Sequence, residues 1–280
     1  MGKKVKKQVK KHNPINVSLL VLAILAVCYV SYGLFLNNRK LPAVDTTAVQ
    51  SSTATKTDAP KKTGALKTFT GQEFRDLYNN FAYPNTEYIS EDTVITGTKE
   101  IDKHIQDLAI KRGYVRRSAP VADTFNTVQP DIKLQQRAAQ PWLDLKAAAT
   151  KEGLDLNLTA AYRSSVDQRT IFLSVLSAYN INKTRIPEGI YDAQITQALS
   201  VTAIPGYSRH HTGYTIDIGC GNQREASFEF TVCFKWLKAD NYRNAKTYGW
   251  IPSYPEGAGL QGPEPEAWEY VWVGTDAVTE

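Results

Sequence analysis

Ser208-Arg209-His210-His211-Thr212-Gly213-Tyr214-Thr215-Ile216-Asp217 sets an imidazole and a carboxylate seven residues apart across a glycine-containing bend. A compact hairpin brings such a pair together on one divalent ion. Zn²⁺ takes His nitrogen and Asp oxygen, and a catalytic site keeps one coordination position for water. The pair lies inside the longer pattern Ser-x-His-x-x-Gly-x-(small)-x-Asp, which is far more specific than one His and one Asp. His211 adjoins His210 in what reads as extended chain, so it is expected to point the other way, exposed or behind the ligands.

Upstream, Asp131 to Glu152 reads as a helix, with Leu134, Ala138, Trp142, Leu145 and Ala149 at three- and four-residue steps. Pro141 is expected to kink or restart it. Leu154, Leu156 and Leu158 then alternate with polar residues, as in a half-buried strand. That strand delivers Ala161-Tyr162-Arg163-Ser164, and Asp167 and Gln168 mark a new helix start. A further helix covers roughly residues 191–203. Downstream, residues 234–248 read as a helix, and residues 249–257 as a strand and turn. The last element carries Glu264-Pro265-Glu266-Ala267-Trp268-Glu269-Tyr270-Val271-Trp272.

At this point the chain resembles the zinc D-alanyl-D-alanine carboxypeptidases of the VanY type, a branch of the M15 peptidases. Ser208, His210, Gly213, Thr215 and Asp217 match the family's metal motif. Tyr162-Arg163-Ser164 with Gln168, the Tyr254-Pro255-Glu256-Gly257 segment, Glu266 and Trp268 are similar as well. The resemblance spans roughly residues 98–274. It implies that His210, Asp217 and the residue at position 269 hold Zn²⁺, and that Glu266 is the general base. It implies that Arg163 faces the site, where its planar fork suits a carboxylate or an oxyanion. Ser208 and Gln168 are expected to help hold the peptide end. Position 269 departs from the pattern: it is Glu where the family has His, and Val271 stands where Arg is common. A carboxylate still binds Zn²⁺. Together with Asp217, however, it cancels the ion's charge and weakens its polarising power.

The implied reaction removes the terminal D-Ala from peptidoglycan stem peptides ending in D-Ala-D-Ala. Two other readings stay open: an endopeptidase of the same fold, and a non-catalytic wall-binding or regulatory module. The expected fold is α+β, a small antiparallel sheet flanked by helices, similar to Hedgehog and D,D-peptidase domains. The expected state is a monomer.

The net charge of +5 is concentrated at the start of the chain, in Lys3, Lys4, Lys6, Lys7, Lys10 and Lys11. The rest is close to neutral, which excludes a basic nucleic-acid surface. Residues 17–36 are apolar and uncharged, about 30 Å long as a helix. The lysines before them keep residues 1–16 in the cytoplasm and place the rest outside. A cleaved signal peptide is the alternative. Residues 37–68 are rich in Thr, Ser, Ala and Lys and read as a disordered stalk. Residues 69–130 read as an N-terminal helical subdomain, with a capping box at Thr70 and Glu73 and a second helix capped by Thr98. His104 on that second helix is taken as structural. Residues 131–280 form the expected peptidase domain. Outside the cell Cys220 and Cys233 pair as a disulfide worth about 3 kcal/mol; two thiols on a metal are the alternative.

Overall fold

The computed structural model of the protein describes residues 64–89 and 93–280. The basic tail, the apolar span 17–36 and the stalk up to residue 63 lie outside the described residues. Among the described residues no helix is long and apolar enough to cross a membrane.

The fold begins earlier than residue 69. Leu66 bridges Thr279, the Lys67 N–H donates to the Val278 carbonyl at 2.9 Å, and the Glu280 N–H donates to Ala65 at 3.0 Å. Residues 64–68 therefore pair with the end of the chain and do not belong to the stalk. Helix α1 (Gly71–Asn80) opens on the expected capping box: the Thr70 hydroxyl accepts from the Glu73 N–H, and the Glu73 carboxylate accepts from the Thr70 N–H. Its Phe74 and Tyr78 enter the same apolar core as the main sheet. A short strand β1 (Thr86–Glu87), helix α2 (Lys99–Lys111) and strand β2 (Ala119–Pro120) follow, with β1 and β2 antiparallel. Thr98 makes no side-chain cap on α2; the Asp102 carboxylate instead takes the N–H groups of Ile95, Thr96 and Gly97.

Strands β3 (Phe125–Gln129) and β4 (Ile132–Gln135) form an antiparallel hairpin, and helix α3 (Gln136–Lys151) starts directly after it. The helix expected from residue 131 thus starts at 136. Leu134 is buried in either reading, so its apolar position did not discriminate between the two periods. α3 runs through Pro141 as one helix.

Strand β5 (Leu156–Ala160), helix α4 (Ser165–Ser177), helix α5 (Asp192–Val201) and strand β6 (Thr215–Cys220) lead to helix α6 (Val232–Lys246). Strands β7 (Trp250–Pro252) and β8 (Glu269–Trp272) and a last turn of helix, α7 (Thr275–Val278), complete the chain. The main sheet has the order β5-β6-β8-β7, all antiparallel. Leu156, Leu158, Ile216, Ile218, Tyr270 and Val271 bury side chains in one core with Trp142 and Leu145 of α3. This is the expected α+β architecture.

α6 is broken inside. Asp240, Asn241 and Tyr242 have left-handed backbone, with φ of 50, 56 and 61°. Such a conformation costs about 1–2 kcal/mol per residue. The turn lets the Asn241 amide pair with both backbone groups of Phe69, at 2.9 and 2.7 Å. Cys220 and Cys233 are bonded, with Cα atoms 5.9 Å apart, and tie the end of β6 to the start of α6.

Candidate active site

The site is built where β6 crosses the middle of the sheet. A 3₁₀ turn, Arg209–Thr212, precedes β6 and ends on Gly213 with φ of 76°. A Cβ at Gly213 would lie 2.6 Å from the Phe125 ring and 3.0 Å from Gln135 Cγ, so both backbone and space require glycine. The Gly213 carbonyl accepts from the Gln135 N–H at 3.0 Å, which fixes the turn against the hairpin.

This turn corrects the expectation for His211. The chain is coiled there, not extended, and both histidines are buried. His211 Nδ1 lies 2.7 Å from the Arg163 carbonyl, which only accepts, so the ring donates there. Its Nε2 accepts from the Gly206 N–H at 2.9 Å. His211 is thereby fixed as a neutral tautomer, and burial pushes its pKa down to about 4. It pins the metal turn to the Arg163 segment.

His210 Nδ1 donates to the Ala161 carbonyl at 2.7 Å, which turns Nε2 toward the carboxylates. Nε2 is 3.4 Å from Asp217 Oδ2 and 3.4 Å from Glu269 Oε2. Asp217 and Glu269 are direct partners across β6 and β8. One ligand atom from each of His210, Asp217 and Glu269 lies within 4.8 Å of the others. Like charges directly opposite on neighbouring strands are destabilising. Asp217 Oδ1 and Glu269 Oε1 are moreover buried with no hydrogen-bond partner. An imidazole nitrogen and two carboxylate oxygens suit Zn²⁺, and a cation supplies what this buried acid pair lacks. The residues present fit the ion.

The electrostatics of the trio agree. Burial alone would lower the His210 pKa, but the charge of Asp217 and the bonds to both carboxylates lift it to about 9. Burial would raise Glu269, but His210 and then Arg209 hold it below the usual carboxylate range. Glu266 lies one turn before Glu269, whose N–H donates to the Glu266 carbonyl at 3.2 Å. It is half-buried, and burial followed by the charges of Glu269 and Asp217 raises its pKa well above the ordinary value. A carboxyl with a raised pKa holds a proton more readily than an ordinary one, as a general acid–base must.

Arg163 stands beside the trio. Its N–H donates to the His210 carbonyl at 3.3 Å and its Nη1 to Gln168 Oε1 at 3.0 Å. Gln168 is fully buried, and its Nε2 donates to Thr202 Oγ1 and the Ala203 carbonyl at 2.9 and 2.7 Å. Its amide thus links Arg163 to the 202–203 segment. Ser208 is buried at the head of the 3₁₀ turn. His104 pairs with Asp192 at 2.7 Å, away from the trio, as the structural reading expects.

The sequence profile of the VanY family, described as D-alanyl-D-alanine carboxypeptidase, matches residues 131–275. The chain belongs to the VanY family. A D-alanyl-D-alanine carboxypeptidase of Enterococcus faecalis is 26% identical over 201 residues, covering 68% of this chain and 67% of that protein. The bifunctional D-Ala-D-Ala dipeptidase and carboxypeptidase VanXYC of Enterococcus gallinarum is 27% identical over 146 residues, covering 51% and 69%. Among solved structures, a point mutant of the VanY D,D-pentapeptidase from a VanB-type resistance cassette, in complex with Zn(II), is 24% identical. It covers 59% of this chain and 89% of its own, with a TM-score of 0.45.

Against the VanY pattern, the departure at Val271 has a structural counterpart, and one feature, Arg209, was missed in the sequence. Val271 is fully buried between Thr215 and Ile251, so a residue of the apolar core occupies the position where Arg is common. Arg209, the unassigned position between Ser208 and His210, is buried 3.7 Å from Glu269. The signal was available: a second acid beside Asp217 calls for a further cation, and Arg209 adjoins His210.

Proposed function

We propose that the protein is a zinc-dependent D,D-carboxypeptidase that removes the terminal D-Ala from peptidoglycan stem peptides. It acts outside the cell, held by the apolar span 17–36. The observation that carries the reading is the meeting of His210, Asp217 and Glu269 within 4.8 Å, beside a carboxyl whose pKa is raised.

Bound Zn²⁺ would supply Lewis-acid polarisation of water and of the scissile carbonyl. The remaining work falls to the chain. His210, fixed through Ala161, presents Nε2. Glu266 takes the proton of the attacking water and returns it to the leaving amine, the two tasks its raised pKa suits. Arg163, braced by Gln168, meets negative charge at the substrate: the peptide's terminal carboxylate or the oxyanion that forms during attack. Ser208 offers its hydroxyl to the peptide end.

The test is release of D-Ala from a stem pentapeptide by the full-length protein in detergent, with and without chelator. Metal-dependent release supports the reading; release that ignores the chelator contradicts it. Glu269 in place of His favours one second reading, a non-catalytic wall-binding module. Elemental analysis separates the two, because that module binds sacculi without zinc or turnover.

A further inference from the structure

Arg209 is held from several sides near the site. Its Nη1 donates to the Ser253 carbonyl and its Nη2 to Gln261 Oε1 at 3.2 Å. The guanidinium lies 3.8 Å from the Tyr254 ring centroid and 4.6 Å from that of Tyr78. The side chain is 4% exposed, and Glu269 opposite it is 3% exposed. Two such charges, both out of water, are retained only where each compensates the other.

The geometry divides the Glu269 carboxylate. Oε1 lies at ion-pair distance from Arg209 Nη1, 3.7 Å, and has no hydrogen bond. Oε2 faces His210 Nε2 at 3.4 Å. The charges are then countable. A divalent ion with His, Asp and His retains +1. Replacing one His by Glu brings the centre to zero. The fixed charge of Arg209 returns it to +1 without occupying a coordination position.

We propose that Arg209 is a positioning and charge-compensating residue for a carboxylate metal ligand. It anchors Glu269 through Oε1, leaves Oε2 as the single metal-facing atom, and restores the positive charge that substitution of His by Glu removes. Glu269 and Arg209 thus work as one unit in place of a neutral imidazole. This rests on the metal reading above and extends it: the departure from the family pattern does not weaken the centre, because it is compensated from behind.

The test compares wild type, Arg209→Gln, Arg209→Lys, Glu269→His and the double variant Arg209→Gln/Glu269→His. Each is loaded with Co²⁺ and its absorption spectrum followed against pH. The counted charges are +1 for wild type, zero for Arg209→Gln, +2 for Glu269→His and +1 for the double variant. The midpoint of the spectral change should therefore rise by at least ~1 pH unit in Arg209→Gln and fall in Glu269→His. The double variant should return to wild type, and Arg209→Lys should stay near it. Coincident midpoints for wild type and Arg209→Gln would overturn the proposal. A second measurement needs no metal: thermal melts of the metal-free wild type, Arg209→Gln, Glu269→Gln and Arg209→Gln/Glu269→Gln. The double loss should be clearly smaller than the sum of the single losses. Equal losses from Arg209→Gln with Glu or Gln at 269 would show that no pair exists and overturn the anchoring. If the wild type takes up neither Co²⁺ nor Zn²⁺, the metal reading fails, whereas the melts still judge the pair by itself.

Discussion

Glu266 is one of three acids grouped at the trio, and the only one not assigned to the ion. Asp217 and Glu269 face His210, whereas Glu266 sits a turn earlier with its pKa raised by burial and by their charge. Glu266→Ala should therefore lower kcat by roughly 10²–10⁴-fold, the usual worth of a general acid–base. Its zinc content should match wild type; loss of zinc together with activity would make Glu266 a ligand instead. The same raised groups set a pH dependence. His210 in the metal-free protein has a pKa of about 9 against an ordinary 6.5. A raised folded-state pKa stabilises fully below the unfolded value and is lost as pH rises through the folded one. Glu266 acts with the same sign, its contribution fading from its ordinary 4.5 upward, so the window above 6.5 is set by His210. Metal-free protein should thus lose on the order of a few kcal/mol of stability between pH 6.5 and 9.5. Zinc, which replaces the His210 proton, should stabilise more as pH rises. Melts at stepped pH with and without zinc check this, and a metal-free melting temperature that climbs over that range would reverse the assignment.

Elements differ in how far the sequence exposed them. β5 was legible because Leu156 and Leu158 alternate with polar residues and only one face is buried. α1 was legible to its cap, because the Thr70 and Glu73 spacing is a local pattern with a local partner. β4 was not, because Leu134 satisfies both periods and its partner strand β3 has no apolar repeat of its own. The break in α6 was hidden for another reason: the left-handed turn at Asp240–Tyr242 is supported by Phe69, which is remote in sequence. At the site, the pairing of His210 with Asp217 was readable from spacing, and Glu266 and Glu269 were singled out through the family resemblance. The inward turn of His211 and the hydrogen-bond partners of Gln168 were not, since both depend on loops that only the folded chain brings together. The disulfide is an element-scale constraint: it closes a short loop between β6 and α6. Replacing Cys233 by Ser should cost about 3 kcal/mol on the chain-entropy model, a fall of roughly 6–12 °C in melting temperature. An unchanged melt would mean that the loop is already fixed by its own packing.

For the whole molecule, the point where the chain enters the fold matters more than composition suggested. Residues 64–68 are polar enough to read as stalk, yet they pair with residues 278–280. Lys246, 2% exposed on α6, donates its ammonium to the Lys67 carbonyl and, at 2.9 Å, to Asn241 Oδ1. Burial pulls its pKa down, so the carbonyl of Lys67 is part of what keeps the charge tolerable there. In the proposed topology this clasp is also where the stalk would hand over to the enzyme, and any pull from the anchor would reach the fold here. A fragment of residues 64–280 should keep the clasp, and one starting at residue 69 should lack it. Leaving a buried ammonium short of one acceptor, with Leu66 and the backbone pairing removed, should cost about 1–3 kcal/mol. The shorter fragment should melt several degrees lower, and Lys246→Met should close most of that gap, since methionine asks for no acceptor. If the two fragments melt together, the pairing at residues 64–68 contributes nothing and the fold starts at the helix, as composition alone implied.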